Sequence, residues 1–134
     1  MKPVSAIIAS LALLLVSATA TELVRPGEVE AWLEKHPDAV LLDVRTPKEF
    51  DGGHIEGAKL IVWGGNRAAR REFKKRVREK IDPGRPVLII CRSGRRSSQA
   101  AKAMGQWGFT ILADLRGGIL AWEKADQPVT VPAP

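Results

Sequence analysis

The chain has 134 residues but only one cysteine, Cys91, and two histidines, His36 and His54. A single cysteine excludes a disulfide framework within the chain. It also weakens a dithiol redox reading, because no second thiol can resolve a disulfide. Neither histidine is close to Cys91 in sequence, so no neighbouring base is signalled for that thiol. Long apolar runs are scarce as well. Beyond the first twenty residues nothing approaches the roughly 20 apolar residues that span a bilayer. Internal repeats, low-complexity segments and groove-reading motifs are missing, which argues against nucleic-acid binding.

What is present begins with a targeting pattern. Lys2 precedes Ala6–Val16, an apolar run broken only by Ser10, and Ala18-Thr19-Ala20 supplies a small-x-small cleavage site. Residues 1–20 therefore read as a cleaved secretory signal peptide, and the expected location is periplasmic or otherwise extracytoplasmic. The run is too short for an anchor, so no stable membrane span is expected after cleavage. Residues 21–127 then form one domain and residues 128–134, with three prolines, a flexible tail. In an oxidising compartment a lone thiol is either buried and inert or kept because it reacts.

The mature chain carries about +5, and the excess is local. Arg67, Arg70, Arg71, Lys74, Lys75, Arg76, Arg78 and Lys80 are opposed only by Glu72 and Glu79. Two readings stay open: a solvated helix face, or a surface for an acidic protein partner, anionic substrate or membrane.

Apolar periodicity alternates short strands with helices. Pro26–Lys35 reads as a helix, Ala39–Val44 as a buried strand, and Thr46-Pro47-Lys48-Glu49 as a capping box opening a short helix. Ala58–Trp63 reads as a strand. Asn66–Ile81 reads as a helix with one apolar stripe, Ala69, Phe73, Val77 and Ile81. Pro86–Cys91 is a strand, Ser97–Trp107 a helix ended by Gly108, Phe109–Leu112 a last strand with an alternative end at Leu115, and Ile119–Ala125 a final helix. This order predicts an α/β domain with a mainly parallel sheet and helices on both faces. Ligands bind such sheets beyond the carboxyl ends of the strands, where Cys91 lies.

After Cys91 come Arg92, Ser93, Gly94, Arg95, Arg96 and Ser97. A five-residue loop curling around the sulfur, with a helix starting near Ser97, would turn successive N–H groups inward. Gly94 would permit the tight curl. Arg92, Arg95 and Arg96 would add positive potential. Each feature favours the thiolate, the nucleophilic form of cysteine. Against this stands the plain alternative of a buried strand cysteine.

The segment Cys91–Ser97 resembles the active-site loop of single-domain rhodaneses. So do Leu42–Pro47 with Glu49-Phe50, Gly53-His54-Ile55 with Gly57-Ala58, and Leu115 with Gly117-Gly118-Ile119 and Ala121-Trp122. The resemblance runs from Ala39 to about Lys124. It implies a rhodanese-like α/β fold with a five-stranded, mainly parallel sheet, and sulfur transfer through a persulfide on Cys91. No metal or organic cofactor is implied. The implied partners are a small anionic sulfur donor, such as thiosulfate, or a persulfide, and a cyanide or thiol acceptor. Arg92 to Ser97 would cradle the persulfide. Asp43 and Arg45 would support the loop through hydrogen bonds, and His54 would be structural. Related phosphatases and arsenate reductases place arginine six residues after the cysteine. Here that position is Ser97, and the smaller ring suits one sulfur atom. A sulfur-carrier module that acts only with a protein partner is the alternative. The stretch from Trp63 through the basic segment matches no family pattern.

Overall fold

Val87–Ile90, the strand before the cysteine, has no exposed side chain. Burying each of these aliphatics contributes roughly 1.5–3 kcal/mol relative to leaving it in water. The strand therefore takes the middle of the sheet, where both faces are covered. The structure is a computed structural model and describes residues 20–134, so the expected signal peptide lies outside it except for Ala20.

Among the described residues, five strands and five helices follow in chain order: β1 (Glu22–Val24), α1 (Val29–Lys35), β2 (Val40–Asp43), α2 (Pro47–Asp51), β3 (Lys59–Leu60), α3 (Arg67–Lys80), β4 (Val87–Ile90), α4 (Arg95–Gln106), β5 (Leu112–Leu115) and α5 (Gly118–Lys124). A 3₁₀ turn, Pro26–Glu28, leads into α1. The sheet order is β1-β5-β4-β2-β3 and all four pairings are parallel. Alternate side chains feed two cores. Val40, Leu42 and Ile89 pack with Phe73 and Val77 of α3 and Ala100 and Met104 of α4. Leu88, Ile90 and Leu115 pack on the other face with Trp32 of α1 and Trp122 of α5. The expected α/β sheet with helices on both faces is found.

Several boundaries differ from the sequence reading. The pattern gave no strand before Pro26, yet Glu22–Val24 pairs with β5, and Glu22 accepts a hydrogen bond from Trp32 Nε1 at 3.0 Å. Three residues are too few to show periodicity. The last strand reaches Leu115, the longer of the two expected ends, but starts at Leu112 rather than Phe109. Phe109 is buried, but its N–H bonds Met104 O and so closes the end of α4. The helix after the cysteine begins at Arg95, not Ser97. Gly94 adopts φ 104°, ψ −9° and completes the turn alone, leaving a loop of Arg92, Ser93 and Gly94. The expected loose tail is tied at two points. Pro128 O accepts from Trp122 Nε1 at 2.8 Å, and Thr130 forms an antiparallel bridge with His54.

Candidate active site

β4 delivers Cys91 to the carboxyl edge of the sheet, and α4 starts four residues later. Gly94 N–H donates to Cys91 Sγ at 3.0 Å, and Ser97 Oγ lies 3.1 Å from the same sulfur. Arg95, Arg96 and Ser97 contribute the first-turn N–H groups of α4, which have no carbonyl partner one turn back. One loop amide, not a full ring of them, bonds the sulfur itself. The side chain is also deeper than an edge position suggests, because Cys91 is only 1% exposed. Arg92, Ser93 and Gly94 form the layer above it, Arg92 and Ser93 being exposed.

The loop is held from two sides. Ile119 N–H donates to Cys91 O at 2.8 Å and Leu120 N–H to Arg92 O at 3.2 Å. These amides belong to the first turn of α5, where a helix has donors to spare. Gly118 makes the approach possible: a Cβ there would sit 2.5 Å from Cys91 O and also meet Arg92 O. From the other side, Arg96 forms a bidentate pair with Glu49, both contacts 2.7 Å. Hydrogen bonding from Arg96 holds the Glu49 carboxyl down to about 2, and Thr46 of the capping box assists. The same pairing raises Arg96 above the usual guanidinium value. Arg96 is therefore an anchor whose charge is offset in large part. Arg92 and Arg95, on the loop and at the start of α4, are both exposed and neither is in an ion pair among the described residues.

The hydrogen bonds expected from Asp43 and Arg45 to the loop are not found: their side chains bond each other, Glu49 O and Gly53 O instead. Arg45 is 4% exposed and forms a buried fork with Asp43, Nη2 to Oδ2 at 2.8 Å. It donates onward to Gly53 O at 2.8 Å and Glu49 O at 3.2 Å. The pair ties α2 to the sheet, and α2 in turn presents Glu49 to Arg96. Removing one partner of such a buried pair costs about 3–5 kcal/mol. His54 stacks on Phe50 at 3.7 Å between ring centroids, and its Nδ1 lies 2.9 Å from Phe50 O. It braces α2.

Two side chains at the site escaped sequence reasoning. Glu49 was visible as a capping residue and within a family-like segment, but not as the partner of Arg96. Asp114 was hidden in an apolar strand, yet it lies beside Ile89 in the sheet register and is 4% exposed. Its Oδ1 has no hydrogen-bond partner. Burial raises its carboxyl above the ordinary aspartate value, while nearby Ser97 pulls the other way. A carboxylate inside an interior strand was itself the available signal.

Comparison with known proteins agrees with this geometry. Residues 25–125 match the family "Rhodanese-like domain". A sulfurtransferase of Allochromatium vinosum is 37% identical over 95 residues, covering 71% of this chain and 81% of that protein. Thiosulfate sulfurtransferase 18 of Arabidopsis thaliana is 33% identical over 94 residues, covering 66% of this chain and 69% of its own length. A Mycobacterium tuberculosis protein named "Probable adenylyltransferase/sulfurtransferase MoeZ" is 35% identical over 109 residues, but the match takes in only 25% of its length. Among solved structures, the rhodanese-like domain of the Anabaena Alr3790 protein has a TM-score of 0.69 at 22% identity, covering 84% of this chain and 81% of that one. With the family match running from the turn before α1 to the end of α5, the chain belongs to the rhodanese-like domain family.

Proposed function

We propose that the protein is a sulfurtransferase that carries sulfane sulfur as a persulfide on Cys91. The observation that carries the reading is the sulfur at the end of β4, hydrogen-bonded by Gly94 N–H at 3.0 Å beside the first turn of α4. Backbone donors and a helix start favour an anionic sulfur there. In the first step the Cys91 thiolate attacks the outer sulfur of thiosulfate. An S–S bond forms to Cys91, the donor's own S–S bond breaks, and sulfite leaves with its electron pair. In the second step cyanide or a thiolate attacks the terminal sulfur. The Cys91–sulfur bond breaks, and thiocyanate or a new persulfide departs while the thiolate is regenerated. Arg92 and Arg95, exposed and unpaired, would draw in an anionic donor. The residues after Lys2 support export, so the acceptor would be met outside the cytoplasm. Intact-mass analysis after thiosulfate treatment tests the reading. One added sulfur is expected on the wild type and none on Cys91→Ser. A wild type that gains no sulfur, and yields no thiocyanate with cyanide, refutes it.

One feature favours a partner-fed variant of the same chemistry. All eight cations of α3 are free of ion pairs among the described residues, and seven of them are exposed. Arg70 lies over Trp63, with Cζ 5.2 Å from the ring centroid, and Lys74 over Trp107 at 5.3 Å. Aromatic faces thus orient two of these charges. An acidic protein carrying the sulfur would fit this face.

A further inference from the structure

The mechanism above leaves one buried titratable group without a role. Asp114 sits on an interior strand, on the same face of the sheet as Cys91, with Oδ1 unpartnered. An orphaned buried carboxyl costs stability, on the order of 1–3 kcal/mol for the unmade hydrogen bond alone. Hydrophobic residues fill the neighbouring positions, Leu112, Ala113 and Leu115, so packing does not require an acid there. Beside the thiol is Ser97, itself fully buried. Its hydroxyl is 3.1 Å from Cys91 Sγ and close enough to Asp114 to oppose the effect of burial, yet no well-formed hydrogen bond joins Ser97 to the acid. One hydroxyl has one proton. It can be given to the carboxylate or to the sulfur, but not to both.

We propose that Asp114 is a positioning residue that generates the Cys91 thiolate through Ser97. The Sγ proton passes to Ser97 Oγ as the Oγ proton passes to the Asp114 carboxylate. The products are a thiolate, an intact serine and a neutral aspartic acid, with no proton lost to solvent. The acid then donates to Ser97 Oγ, and the Ser97 hydroxyl donates to the thiolate, which also accepts from Gly94 N–H. The pair holds a single negative charge in both states, so two anions never share the buried space. The chain has no histidine within hydrogen-bond reach of Cys91 to act instead: His54 faces Phe50 and His36 packs on Trp32.

This inference rests on Cys91 being the reactive group, but its test does not need sulfur transfer. With one cysteine in the chain, the ultraviolet thiolate band reports Cys91 alone, and Cys91→Ser supplies the blank. Asp114→Asn keeps the shape and removes the proton acceptor, while Ser97→Ala removes the bridge. Each is expected to lower the thiolate band at neutral pH and to slow iodoacetamide alkylation about tenfold, the equivalent of one pKa unit. The double variant is expected to fall no further than Ser97→Ala, because both lesions break one path. Circular dichroism checks that each variant folds, and Ser97→Thr, which retains the hydroxyl, is expected to recover most of the band. A thiolate band that is unchanged or stronger in Asp114→Asn overturns the proposal. A strong band with no persulfide after thiosulfate instead overturns the sulfurtransferase reading and leaves this one standing.

Discussion

Replacing Gly118 by alanine places a methyl group where the active-site loop already is. The new Cβ would stand 2.5 Å from Cys91 O and closer still to Arg92 O, and both are backbone atoms with no rotamer to turn away. Gly118 also has φ +62°, which costs an L-residue about 1–2 kcal/mol. The clash can be borne as overpacking, at about 1–3 kcal/mol. It can also be relieved by pushing the loop off α5, which breaks the Ile119 and Leu120 hydrogen bonds at about 0.5–1.5 kcal/mol each. Either route brings the total to about 2–5 kcal/mol, a large share of a typical domain's stability. Gly57→Ala is the control. Gly57 has φ +84° but nothing within 4 Å of its added methyl, so only the backbone cost applies, about 1–2 kcal/mol. Urea unfolding should show Gly118→Ala shifted by about 1–3 M and Gly57→Ala by about 1 M or less. Gly118→Ala should also form the Cys91 persulfide more slowly, because the Gly94 amide moves with the loop, whereas Gly57→Ala should not. Equal midpoints for the two variants, with wild-type persulfide formation in both, would refute the close-approach argument.

The remaining predictions concern charge. Glu49 titrates near 2 in the folded protein against 4.5 for the free group, so its pair with Arg96 stabilises fully above pH 4.5 and is lost as pH falls toward 2. Both side chains are about a quarter exposed, which limits the contribution to about 1 kcal/mol. The stability advantage of the wild type over Glu49→Gln, read from urea midpoints, should vanish across that window; an advantage that persists to its acid end would remove the pair from the account. On α3, reversing Arg70, Arg71, Lys74 and Lys75 to Glu should cut sulfur uptake from a polyglutamate peptide bearing a cysteine persulfide by about tenfold or more at low salt, with uptake from thiosulfate little changed. Equal losses with both donors, or none with either, would contradict docking on that face.

Much of the architecture could be read from residue order. Val87–Ile90 is too apolar for any position but the sheet centre, Thr46 with Glu49 closes the capping box of α2 as the pattern indicates, and Phe73, Val77 and Ile81 bury the stripe of α3. What escaped depends on contacts between distant segments. Arg96 reads as a free charge until α2 brings Glu49, 47 residues earlier, against it. Gly117-Gly118 reads as a turn, and only the approach of the loop carbonyls explains why Gly118 cannot carry a side chain. The helix start shifted by two residues because Gly94 makes the whole turn in one left-handed step, which leaves Arg95 and Arg96 free to enter α4.

The placement of α5 explains how so short a loop can direct its amides. In a trans peptide the C=O and N–H point in opposite directions. With Cys91 O and Arg92 O aimed at α5, the N–H groups of Arg92 and Ser93 must point away from it. A carbonyl turned inside the protein needs a donor, or the turn would cost more than the amides return. Ile119 and Leu120 supply those donors from the first turn of α5. Residues that never touch the sulfur therefore fix which way the loop's dipoles face, and Glu49 fixes the far end by holding Arg96. That pair offsets much of the Arg96 charge but does not hide it from the sulfur, so the field at Cys91 comes from backbone dipoles together with what remains of Arg96. It should survive Arg96→Gln in direction but lose its rigidity, since Gln cannot make the bidentate clamp.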